Sequence, residues 1–173
     1  MLKMRNSKPF IFFDTVVLSN FFFVDGGVLL LKNRYQNRGM VTLQVIQEIT
    51  KAVYAGYQQL EHFESQMISK AGFQKILLEE KEQTEYLILL RHLGEGEASC
   101  LAAASHRNAV VATDDRAARN SCREKNVPVT GTIGILKAAY QEGFVDLDTA
   151  DYMLNQMIEK GFYSPINKIS EIL

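Results

Sequence analysis

Short unbroken apolar runs alternate with stretches of helical spacing along this chain. Pro9-Phe-Ile-Phe-Phe13 and Ala109 to Ala112 are continuous apolar runs, the pattern of strands covered on both faces. Met40 to Leu43 predicts another strand, Val127-Pro-Val129 a short one, and Phe73 to Leu78 an edge strand. Between them the spacing predicts helices over Val16 to Val24, punctuated by Gly26-Gly27, then Val28 to Tyr35, Gln44 to Val53, and Gln58 to Lys70, ending at Gly72. Glu80 to His92 follows, with Tyr86, Leu87, Leu89, Leu90 and Leu93 as an apolar stripe. Glu95 to Arg107 is an Ala-rich helix suited to close packing, and Arg116 to Lys125 is a further helix. Thr130-Gly131-Thr132 starts a helix through Glu142, and Leu147 to Lys160 and Pro165 to Leu173 complete the helical set. Strands alternating with helices predict an α/β protein with three α/β/α layers and a central parallel sheet. No linker, repeat or low-complexity stretch divides residues 1–173, which are read as a single domain.

In such sheets the active site lies beyond the carboxyl ends of the strands. Asp14 directly follows Phe10 to Phe13, and Asp114 and Asp115 follow Val110-Val-Ala-Thr113. Glu97 opens the helix that runs back into the second of these strands, so its first turn belongs to the same end. Glu48 sits in the helix after the Met40 strand and can reach that edge. Four carboxylates from distant positions thus converge. Like charges at close range repel unless some stay protonated or a cation joins them. Hard divalent cations favour carboxylate oxygens, which points to magnesium or manganese. Such a centre suits phosphodiester hydrolysis. Taken singly, each acid has a plainer reading. Asp14 fits the N-cap of the next helix, Glu48 a solvated helix position, and Glu97 a favourable place in the field of its own helix.

Composition narrows the classes. The 173 residues are 47 % hydrophobic and 23 % charged, an ordinary globular balance, and the net charge of −1 excludes a basic nucleic-acid coat while leaving room for a local basic patch. Cys100 and Cys122 form no CxxC pattern, and His62, His92 and His106 are scattered, so no zinc site is expected. The basic Met1 to Lys8 followed by apolar Pro9 to Val24 imitates a signal peptide. Asp14 interrupts the apolar run, no small-residue cleavage site follows, and the run is short of the roughly 20 residues that span a bilayer. The expectation is a cytoplasmic protein with no membrane partner.

The ordered elements Phe-Phe-Asp14-Thr-Val-Val-Leu-Ser-Asn20, Val-Ile-Gln-Glu48-Ile, Leu93-Gly-Glu-Gly-Glu97-Ala and Val111-Ala-Thr-Asp-Asp115-Arg-Ala-Ala-Arg119 carry a resemblance. So do Val127-Pro-Val-Thr-Gly-Thr-Ile-Gly-Ile-Leu136 and Gly161-Phe-Tyr-Ser. Together they span nearly the whole chain, which resembles PIN-domain nucleases, specifically the VapC-like toxin branch. The resemblance implies a PIN-like fold and an Asp–Glu–Asp–Asp set that binds magnesium or manganese and cleaves single-stranded RNA. By position the set falls on Asp14, Glu48, Glu97 and Asp115, with Asp14, Glu97 and Asp115 as metal ligands. Glu97 stands where many relatives have Asp, and its extra methylene shifts the carboxylate without removing it. Asp114 and Glu95 are alternatives to Asp115 and Glu97, and Thr113 and Asn20 are candidates for supporting hydrogen bonds. A toxin of this kind implies a small antitoxin that blocks the acidic cleft, and a homodimer is a further partner reading.

Other features carry less. Arg116, Arg119 and Arg123 share one helix face beginning beside Asp115, suited to RNA phosphates or to plain solvation. Gly131-Thr-Ile-Gly134 lacks the Lys and Ser/Thr of a P-loop, so Gly131 is read as relieving a turn and Thr130 or Thr132 as a cap. Phe21-Phe-Phe23 reads as core or interface rather than a base-stacking platform. An aspartyl-phosphatase reading fails because Val16 stands where a second Asp is needed. The functional expectation is a metal-dependent endoribonuclease. The alternative is a PIN-like RNA- or protein-binding module without nuclease activity.

Overall fold

The computed structural model describes residues 8–173, so all but Lys8 of the basic Met1 to Lys8 segment lies outside the described residues. Five strands form one sheet in the order β3-β2-β1-β4-β5, every pairing parallel. They are β1 (Ile11–Phe13), β2 (Gly39–Thr42), β3 (Gln74–Ile76), β4 (Val110–Ala112) and β5 (Val129–Thr130). The central strand β1 puts Ile11 opposite both Gly39 and Val110, and Phe13 opposite Ala112. A parallel sheet carries helices on both faces, which is why the inner strands β1 and β2 are buried along their whole length. The outer strand β3 shows Gln74 and Lys75 to solvent instead, polar positions that discourage pairing with another chain.

Eight α-helices among the described residues flank the sheet: α1 (Thr15–Phe22), α2 (Gly27–Tyr35), α3 (Leu43–Tyr54), α4 (Glu80–Leu89), α5 (Glu95–Arg107), α6 (Arg116–Glu124), α7 (Thr132–Gln141) and α8 (Leu147–Glu159). Helix α5 is the inner one. Its Ala98, Leu101, Ala102, Ala103 and Ala104 are buried, the small side chains letting its backbone approach the sheet. The turns from strand to helix are closed by side chains at the strand ends. Asp14 Oδ1 accepts from the Val17 N–H (2.8 Å), Thr42 Oγ1 from Val45 (3.3 Å) and Asp115 Oδ1 from Ala118 (2.7 Å), each satisfying a donor that the first helical turn leaves free. No helix among the described residues is long and apolar enough to cross a membrane.

Four segments depart from the sequence expectation. Gln58 to Lys70 is a 3₁₀ turn at Gln58–Leu60 and then a wider π-type helix over Glu64–Lys70, closed by Ala71 N–H to the Gln66 carbonyl (2.9 Å). The last strand lies at Val129–Thr130 because Pro128 has no N–H to donate, while Val127 N–H closes the end of α6 on the Cys122 carbonyl (2.8 Å). Pro165 to Leu173 is mostly irregular, with a 3₁₀ turn only at Ile169–Ile172. There the Asp151 carboxylate accepts from the Ile169 and Ser170 N–H groups (2.6 and 3.3 Å) and so caps the turn from outside. In and just after α4 the expected stripe is only partly inward: Leu89 and Leu93 are buried and Tyr86 packs against the core, but Leu87 and Leu90 are not buried. Leu87 is 65 % and Ile88 52 % exposed, while Glu82 is buried. A two-pronged ion pair satisfies the buried Glu82: Arg107 donates from Nε to Glu82 Oε1 (2.6 Å) and from Nη2 to Oε2 (2.8 Å), and Glu82 Oε2 also accepts the Glu79 N–H (2.7 Å).

Candidate active site

The carboxyl ends of β1 and β4 lie side by side, tied by the Asp14 N–H to the Ala112 carbonyl (3.0 Å). Asp14 is fully buried there. Its Oδ1 caps α1, whereas Oδ2 has no partner in hydrogen-bond geometry, although the Thr113 hydroxyl lies close to the carboxyl. Burial pushes the Asp14 pKa up to about 7. The Thr113 hydroxyl and Val17 N–H pull it down, and the charges of Glu97 and Asp114 push it up further. A buried polar atom without a partner is costly, and its persistence marks a place where a ligand can compensate.

Glu97, in the first turn of α5, is half-buried, and its pKa is also raised. Burial is the main cause, its own backbone N–H works against it, and the Glu48 and Asp115 charges add to it. Gly94 makes room for this carboxylate, since a Cβ there would strike Glu97 Oε2. Glu95, two residues earlier, is exposed and pairs instead with Lys51 (3.3 Å). Of that pair of acids, Glu97 is the one on the cleft wall.

Glu48 is held at both oxygens. Oε1 accepts the Gly96 N–H (2.8 Å), and Oε2 accepts the Thr15 hydroxyl. Gly96 is where it is because a Cβ would run into this carboxylate. Glu48 therefore joins α3 to the starts of α5 and α1, the turns that carry Glu97 and Asp14.

Asp114 and Asp115 divide their work. Asp114 Oδ1 accepts the Thr132 N–H (2.9 Å), and Oδ2 accepts the Thr132 hydroxyl (2.6 Å) and the Asn20 amide (3.4 Å). Asp115 is exposed and caps α6 through Oδ1, and its own N–H donates to Thr113 Oγ1 (3.2 Å). Glu97, Asp114 and Asp115 line one cleft of about 430 Å³ together with Asn20, Phe23 and Lys160. Thr132, read from the sequence as one of two candidate helix caps, is instead the partner of Asp114, and α7 has no side-chain cap from its own N-cap residue, Gly131. Gly131 itself is extended (φ −153°), so no turn strain needs it. It leaves space for Asp114 Oδ1, which a Cβ would strike.

A family model for the PIN domain matches residues 10–173. This chain belongs to the PIN-domain family. Among solved structures it is similar to VapBC2 from Rickettsia felis, bound to a DNA fragment from its promoter. The TM-score is 0.51 at 16 % identity, over 70 % of this chain and 98 % of that one. It is equally similar to VapBC-1 from nontypeable Haemophilus influenzae, with TM-score 0.51 at 10 % identity, over 71 % of this chain and 98 % of that one. At such identities the likeness is one of fold. A search of curated proteins finds no match.

Of the acids of this PIN domain, Glu97, Asp114 and Asp115 share the cleft, whereas Asp14 is fully buried and Glu48 is not on the cleft wall. Among the described residues, no three His, Cys, Asp or Glu side chains stand grouped as ready-made metal ligands. Asp115, Asp114 and Glu48 are each engaged by protein donors. The orphan Asp14 Oδ2, the neighbouring Glu97 and the all-carboxylate donor set nevertheless fit a hard divalent cation. The arginine face of α6 is not uniform. Arg119 donates from Nη1 to the Thr113 and Thr130 carbonyls (both 2.9 Å), tying β4 to β5. Arg116 and Arg123 are exposed, and Arg123 donates to Asn120 Oδ1 on its own helix (3.0 Å). Of the Phe21-Phe-Phe23 run, Phe21 is core, Phe22 packs on the Phe63 ring at 5.8 Å, and Phe23 reaches the cleft.

Proposed function

We propose that this PIN domain is a metal-dependent endoribonuclease acting on single-stranded RNA, and that it works as the toxin of a toxin-antitoxin pair. The observation that carries this reading is Asp14: a buried carboxyl with one oxygen unpartnered, its pKa near neutrality, among other acids at the end of a parallel sheet. Asp14, Glu97 and Asp115 would hold magnesium or manganese, which when bound supplies Lewis acidity toward a phosphodiester and lowers the pKa of water. Glu48 keeps the turns bearing Asp14 and Glu97 at fixed separation, and Asp114 locks the end of β4 to α7. Arg116 and Arg123 are free to meet RNA phosphates, while Arg119 adds charge from a fixed position. The chain acts as one domain in the cytoplasm. A small antitoxin covers the acidic cleft, and the outward apolar side chains Leu77, Leu87, Ile88 and Leu90 offer a homodimer its contact face.

Cleavage of a labelled single-stranded RNA tests the reading. It should require magnesium or manganese, stop with chelator and fall at least a hundredfold in Asp14→Asn. RNA that is bound but never cut under any of these metals would favour the non-catalytic binding module.

A further inference from the structure

Helix α8 ends beside the acids. Gly161, with φ +101°, takes a left-handed turn that L side chains rarely adopt, and Phe162 N–H closes back on the Met157 carbonyl (2.9 Å). This turn presents two consecutive aromatics. Phe162 is partly buried against the core, whereas Tyr163 is 91 % exposed, so packing does not account for its ring. The pair forms a ridge between two hollows. One is the acid cleft, where Lys160 is the single cation on the wall among the described residues. The other, about 580 Å³, is lined by Thr130, Gly131 and Arg119. Asp114 borders both, as do Phe162 and Tyr163.

We propose that the Phe162–Tyr163 ridge is the base-stacking element of a groove for single-stranded RNA, with Lys160 holding a backbone phosphate beside the acids. The inference rests on the nuclease reading above and names the residues by which that site would grip its substrate. A single strand exposes the faces of its bases, and aromatic side chains stack on any of them, while a cation tracks the backbone. Each hollow is of the size that takes one small organic ligand, so a strand crossing the ridge would set neighbouring nucleotides on either side of it. The acids repel phosphate, so an ammonium on the same wall is the group that makes a close approach tolerable. A protein partner covering the cleft needs only an exposed apolar group at the ridge, whereas a single strand uses the aromatic face, the cation and the two hollows together.

Binding of a labelled single-stranded RNA, measured in the Asp14→Asn background to prevent cutting, tests this. Tyr163→Ala should weaken binding roughly 5- to 100-fold without changing the melting temperature, while Tyr163→Phe keeps the affinity. Replacing one nucleotide of the probe with an abasic residue, stepped along its length, should at one position erase the difference in affinity that Tyr163→Ala makes. Lys160→Ala should lower the slope of log affinity against log salt by about 0.7, the loss of one phosphate contact on a single strand. Unchanged RNA affinity in Tyr163→Ala overturns the proposal while leaving the nuclease reading intact if the wild type still cuts RNA. Unchanged RNA affinity with lost binding of a protein partner assigns the ridge to that partner. A wild type that neither binds nor cuts single-stranded RNA overturns both.

Discussion

At Asp14 one carboxylate oxygen caps a helix while the other is buried without a partner. The cap stabilises the protein whether or not the group is charged, but the charge does not. The folded pKa of about 7 lies above the ordinary value of 3.8, so the folded state binds the extra proton between these values. The contribution of Asp14 to the stability of the metal-free protein should therefore be greatest below about pH 4, fall as pH rises toward 7, and then level off, while Glu142, held down to about 2 by Arg34, works the other way in acid. The Asp14 shift corresponds to roughly 4 kcal/mol. Asp14→Asn keeps the cap acceptor and removes the charge. In chelator, urea unfolding at pH 8 should find it more stable than the wild type by about 1–3 kcal/mol, with a flatter pH dependence between pH 4 and 7. Equal pH slopes in the two proteins would show that Asp14 ionises freely. Gly131 gives a second residue-scale test. Its backbone is one that alanine adopts without strain, so Gly131→Ala reads space alone. It should displace Asp114 from Thr132 and cost about 1–3 kcal/mol in thermal melts, and Thr132→Val should cost a similar amount by removing the same hydroxyl.

The order and type of most elements were legible because the inner strands β1 and β4 are unbroken apolar runs and several helices start at a polar cap, as at Asp14, Thr42 and Asp115. Helix α4 was among them, but its buried face was legible only in part. Leu89 and Leu93 turn inward as the stripe predicts, yet Glu82 is 2 % exposed and Leu87 is not buried. Hydrophobic spacing alone could not show that Arg107, in the next helix, would meet Glu82 with two hydrogen bonds. Removing one partner of such a pair leaves the other uncompensated, so Glu82→Ala should cost about 3–5 kcal/mol. Leu87→Lys on the opposite side should stay within about 0.5 kcal/mol in dilute protein. Chemical denaturation of the two variants checks the assignment of faces, and the reverse ranking would return Leu87 to the core.

At the scale of the molecule, the strand order β3-β2-β1-β4-β5 is what creates the site. It sets β1 beside β4, so that Asp14 and the Asp114-Asp115 pair meet from distant parts of the chain. It also brings α5 over both, with Glu97 at its start. Acids directly after apolar runs could be found in the sequence. Thr132, Gly96 and Tyr163 stand within the motifs that carry the family resemblance, but their roles could not be read there, because they depend on which strands become neighbours and on the room left between side chains. The raised pKa of Asp14 gives the proposed metal site its test, since a cation bound there would have to displace the proton. Metal binding should release that proton. Calorimetric titration of manganese into the protein at pH 6.5, repeated in buffers of different ionisation enthalpy, measures the release directly. The account predicts manganese binding to the wild type with release of a fraction of a proton that shrinks as pH rises past 7, and weakened binding without that release in Asp14→Asn. Manganese binding of equal strength in both proteins, or binding with no proton released at pH 6.5, would contradict it.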